Sequence, residues 1–157
     1  MNISKIIADK DLQSYYSFIN EVDINQLNDS SQNLLHIAIA NENNEVAQDL
    51  IKRGININAQ DFKGQTPLHF AAAYNNFFVA KNLVENGAEV NVRDVYGNTP
   101  LWTAVFNGQR IKYYDVVILL VDSKADVNNT NDVNKTPLDI AKQLGYQDLI
   151  EILEKGK

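Results

Sequence analysis

GQTPLHFAAA, from Gly64 to Ala73, is the stretch whose reading decides the fold. Thr66 is suited to accept the free N–H groups at a helix start, and Pro67 suits the first helical position, which needs no N–H. The stretch therefore predicts a helix beginning at Pro67, with Leu68, Ala71 and Ala72 on one face. Small alanines there let a neighbouring helix come close. His69 is one of only two histidines in the chain, so it is either a chemical group or part of the architecture. A metal site would need further ligands near the histidines, and none is suitably spaced.

The stretch recurs. Shifted by 33 residues, the sequence overlays itself: His36 falls on His69, Gly54 on Gly87, Asn58 on Asn91, and Thr66-Pro67-Leu68 on Thr99-Pro100-Leu101. The motif returns as Thr136-Pro137-Leu138 after 37 residues, so four extra residues lie in between, within Gly108–Asp115. Repeats of this length mark stacked architectures. We divide the chain into units 1–27, 28–60, 61–93, 94–130 and 131–157, forming one domain over 1–157. Asp61–Gly64 and Asp94–Gly97 are turn signals. A second helix carries Val79, Ala80, Leu83 and Val84, and Gly87 ends it in the left-handed conformation. Each unit thus reads as turn, helix, helix. The first lacks the Thr-Pro-Leu-His motif and the last ends in LIEILEKGK, so both read as polar caps of a complete array.

These residues resemble the ankyrin repeat family over nearly the whole chain. GQTPLHFAAAYNNFFVAKNLVENGAEVNVRD follows the family pattern almost throughout, and NLLHIAIANENNEVAQDLIKRGININAQD follows it well. The resemblance implies an all-α solenoid of stacked helix–turn–helix units with short β-turn tips. It also implies that His36 and His69 tie neighbouring turns together, with Thr66, Pro67, Thr99, Pro100, Thr136 and Pro137 as structural motif positions. Departures are Ser31 and Asn134 in place of the turn glycine, Lys124 in place of a helix-ending glycine, and Trp102 and Asp139 in place of the histidine.

The resemblance further implies a concave partner-binding face made of turn tips and first helices. The repeat maps Asp29, Phe62, Lys63, Val95, Tyr96, Asp132 and Val133 to the tips, and Tyr74, Trp102, Phe106 and Asn107 to the first helices. The expected centre is Phe62, Tyr74, Val95, Tyr96 and Phe106, with Asp29 and Asp132 steering a basic protein. Phe77 is expected in the core and Phe78 at the surface. Tyr113 and Tyr114 in the insertion are read either as partner contacts or as an extension of the second helix.

Composition narrows the function classes. Hydrophobic residues make up 45%, charged residues 22%, and the net charge is −6, which is globular rather than disordered and repels phosphate backbones. No nucleic-acid or membrane partner is expected. The absence of cysteine excludes disulfides, thiolate zinc and cysteine nucleophiles. The longest apolar run, Val116–Val121, is too short to span a bilayer, the N-terminus does not read as a signal peptide, and a cytoplasmic location is expected. There is no nucleophile elbow, phosphate loop or dinucleotide fingerprint. No cofactor and no catalysis are expected. The reading is a protein-binding module, monomeric when free; an immunity or inhibitor protein against a toxin or nuclease, and an adaptor or secreted effector docking on a host protein, stay open beside it.

Overall fold

Asn33, Thr66 and Thr136 each start a helix, and the side chain three residues later answers each of them. In the computed structural model, which describes residues 2–108 and 114–156, the Thr66 hydroxyl accepts from His69 N–H while His69 Nδ1 accepts from Thr66 N–H at 3.1 Å. Asn33 with His36 and Thr136 with Asp139 form the same reciprocal cap, which satisfies two otherwise free donors per helix.

Five helix pairs follow one another along the described chain: α1 Ile3–Ala8 with α2 Leu12–Phe18, α3 Leu34–Ala40 with α4 Asn44–Lys52, α5 Pro67–Ala73 with α6 Phe77–Glu85, α7 Pro100–Gly108 with α8 Asp115–Asp122, and α9 Pro137–Leu144 with α10 Gln147–Lys155. Asn43 and Asn76 cap α4 and α6, a regularity the sequence reading did not single out. The first helices α1, α3, α5, α7 and α9 stack in one layer, and α4, α6, α8 and α10 stack in a second. Ala38, Ala71, Ala104 and Ala141 are all buried in the first layer, which is why neighbouring helices approach closely. Leu35, Leu68, Leu101 and Leu138 lead each helix into the core, with Leu50, Leu83, Leu120 and Leu153 from the second layer. Each buried leucine contributes about 2 kcal/mol.

The units are also tied by polar side chains. Asn25, Asn58 and Asn91 accept the backbone N–H of Asn56, Glu89 and Asp126 at 2.8, 2.9 and 2.8 Å. The first unit docks through buried Tyr15, whose hydroxyl donates to Asp49 Oδ2 at 2.7 Å. Arg53 donates to the same carboxylate at 2.5 Å and to Asn20 at 2.7 Å.

Gly54 and Gly87 follow the second helices at φ +80° and +88°, and Lys124 holds the matching place at +66°. Left-handed backbone costs a non-glycine residue about 1 kcal/mol. Nothing lies within 4 Å of a Cβ built on Gly54 or Gly87, so the strain at this position is conformational rather than a clash. Lys124→Gly is therefore expected to stabilise the fold by about 1 kcal/mol, roughly 3 °C in Tm, measured by thermal melting of the helical circular-dichroism signal. Ser31 and Asn134, at φ +58° and +56°, hold the tip position that Gly64 and Gly97 hold in the units between. A Cβ on Gly64 would meet Asp94 Cα at 3.2 Å.

Phe77 departs from expectation. It opens α6 with 43% of its surface exposed, and Phe78 beside it is 48% exposed. Only Val79, Ala80 and Leu83 of α6 are fully buried. Phe77 sits at the rim of a shallow cleft with Glu42, Asn44, Tyr74, Asn75 and Asn76, so polar neighbours leave it uncovered.

Candidate functional site

The tips are built by one device used four times. Asn28, Asp61, Asn131 and Asp94 each turn a side-chain oxygen back onto two backbone N–H groups of their own tip, two and four residues on. Such turns form locally. They commit Asp61 and Asp94 to structure, which removes the most regularly spaced carboxylates from acid–base work.

Each tip is then joined to the previous one by its main chain. Phe62 N–H donates to Ser30 O at 3.0 Å, Val95 to Lys63 O at 2.9 Å, and Asp132 to Tyr96 O at 3.0 Å. The histidines add a second tie. His36 Nε2 lies 3.0 Å from Gln65 O, and His69 Nε2 lies 3.1 Å from Asn98 O. A carbonyl partner requires Nε2 to carry the hydrogen, so Nδ1 is left as an acceptor. Both rings are fully buried. Burial, more than any other influence, holds both imidazoles below their ordinary 6.5, and they are neutral at pH 7.

On this rigid edge the apolar tip residues face solvent. Phe62 is 63% exposed, Val95 56%, Tyr96 59% and Val133 71%. The Lys63 ammonium lies 5.5 Å from the centre of the Phe62 ring. The second helices cover one side of the first-helix layer, so exposed first-helix residues emerge on the other. There, Ala73 and Phe106 hold equivalent positions in adjacent units, as do Tyr74 and Asn107. Tyr74 and Phe106 are about half exposed; Asn107 is half-buried and bonds back to Thr103 O at 3.0 Å.

Trp102 behaves differently from its tip neighbours. It is half-buried and stacks on Phe106, with ring centres 5.2 Å apart and planes 15° from parallel. Its indole Nε1 is buried without a hydrogen-bond partner. Having only a donor, it also cannot accept from Thr99 as His69 accepts from Thr66. Trp102 thus supports Phe106 from below rather than offering a polar contact. Trp102→Phe removes the unpaired N–H and keeps a ring for the stack, so stability is expected to stay within about 1 kcal/mol of the parent by denaturant titration.

The acidic rim is uneven. Asp29 is exposed, whereas Asp132 pairs with Arg93 at 3.2 Å, so its charge is locally balanced. In the insertion, Tyr114 is half-buried against the core beside α8. Arg110, Lys112 and Tyr113 lie outside the described residues. Among the described residues, no group of three His, Cys, Asp or Glu side chains is placed to hold a metal ion, and no helix is long and apolar enough to cross a membrane.

Two layers of stacked helices with hydrogen-bonded tips define a repeat scaffold that displays side chains on a fixed edge. The family description "Ankyrin repeats (3 copies)" matches residues 5–94 and 35–131, and the chain belongs to the ankyrin repeat family. Its members are in general protein-interaction modules and typically lack catalysis. No curated protein matches the chain.

Proposed function

We propose that the five helix pairs act as one domain that binds a protein partner, without catalysis, through the concave face of tips and first helices. The observation that carries this is the set Phe62, Val95, Tyr96 and Phe106, large apolar residues left 47 to 63% exposed on tips and a helix whose backbone is already held in place. Exposed apolar clusters on a folded chain mark interaction sites. A preorganised edge loses little order on binding. Phe62, Lys63, Tyr74, Val95, Tyr96 and Phe106 form the contact, Trp102 and Asn107 support it, and Asp29 and Asp132 lie at its rim. The free chain is a monomer.

The test is affinity capture from cells of the source organism and its neighbours, comparing the intact protein with a Phe62/Tyr96/Phe106 serine variant. A partner retained by the first and lost by the second supports the reading. The same partner retained by both overturns the assignment of the face. A captured toxic enzyme marks an inhibitor; a partner from a host cell marks an adaptor or effector.

A further inference from the structure

Charge is unevenly divided between the two layers. Across the tips and first helices of three consecutive units, 28–41, 61–74 and 94–108, the charged residues are Asp29, Asp61, Lys63 and Asp94 alone, well below the 22% charged content of the whole chain. Asp61 and Asp94 are buried and bound to their own turns. Only Asp29 and Lys63 are exposed. The second helices and the loops after them carry most of the charged residues of these units, with Glu45, Asp49, Glu85, Glu89, Asp115 and Asp126 interleaved with Lys52, Arg53, Lys81, Arg93 and Lys124. These three units therefore present a face poor in charged residues and rich in exposed aromatic ones.

We propose that the partner seats an uncharged apolar segment on this face, with aliphatic or aromatic side chains packed between the Phe62, Val95 and Tyr96 tips and the Ala73, Tyr74 and Phe106 row. The proposal rests on the binding reading above and specifies its partner chemistry. A partner charge buried among Val95, Tyr96 and Phe106 would lose its water without an ion pair in exchange, because the exposed cation of these segments, Lys63, sits beside Phe62. Affinity then comes from apolar burial, and salt has little to screen.

Dodecapeptides selected from a random phage library on the intact protein serve as probes. Trp102 is the only tryptophan in the chain and stacks on Phe106, so its fluorescence reports binding at the face. Ala73 is exposed in the last turn of α5, where a side chain can be added without disturbing the core. Ala73→Glu and Ala73→Lys are compared with the parent. The expected result is uncharged apolar peptides that both changes weaken by about tenfold. Raising salt from about 0.1 to about 0.5 M alters their affinity by less than about twofold. Charged peptides that one Ala73 change strengthens and the other weakens, and that salt releases, overturn the proposal while leaving the binding face in place. Peptides indifferent to both changes and to Phe106→Ser overturn the binding face itself.

Discussion

His69→Ala is expected to destabilise the fold by about 3 kcal/mol. The ring is fully buried, so its loss opens a cavity in the middle unit. It also strands Thr66 N–H, which His69 Nδ1 accepts at 3.1 Å. Asn98 O suffers less, because Asp94 N–H still donates to it at 2.9 Å. The damage is thus mainly a cavity and one orphaned donor, read as a fall in denaturant midpoint. The contrast with Trp102→Phe, at the same position one unit on, is the sharper test: the two changes should differ by at least about 2 kcal/mol. Equal losses would show that the histidine tie contributes nothing.

The same burial sets a pH dependence. Both imidazoles are held below 6.5 in the folded chain, so the unfolded chain binds more protons once pH drops below that value. Stability is then full above about 6.5 and falls with falling pH until the lower folded-state value is reached. Replacing either histidine should flatten this part of the profile, measured as denaturant midpoint against pH. A slope unchanged by both replacements would assign the acid sensitivity to the carboxylates.

The combined change Phe62→Ser, Tyr96→Ser and Phe106→Ser is expected to weaken partner binding by a hundredfold or more with helicity kept. Aromatic anchors at interfaces are each worth about 2 kcal/mol when truncated, and about 1.4 kcal/mol is tenfold in affinity. Even strongly non-additive losses reach a hundredfold. The folded chain has less to lose, because Phe62 and Tyr96 are about 60% exposed and their turns are held by Asp61 and Asp94. Phe106 gives up its stack on Trp102, about 1 kcal/mol. Titration of a captured partner, with circular dichroism alongside, separates the two effects. A collapse in helicity would place these residues in the core.

Much of the fold was legible because its determinants are local and repeated. Thr66 and Pro67 begin a helix from their own chemistry, Asp61 and Asp94 close their own turns, and recurrence at one spacing shows that the units stack. The same register, with the family resemblance, puts Phe62, Val95 and Tyr96 on the tips, and all three are exposed. Phe77 was misread because its burial depends on what the adjoining unit offers, and that is Asn44 rather than an apolar side chain. Trp102 stood in the histidine position, but nothing in the sequence told that its N–H would be buried without an acceptor.

The sequence by itself determined the period, the helix starts, the turns and the place of the insertion, since each is encoded within about ten residues and then repeated. Only the tertiary structure decided that Asp132 is balanced by Arg93 and that Tyr15 anchors the first unit on Asp49. Those facts join residues more than thirty positions apart. They depend on which side of a helix each unit turns toward the next, a property of stacked units that no single unit carries.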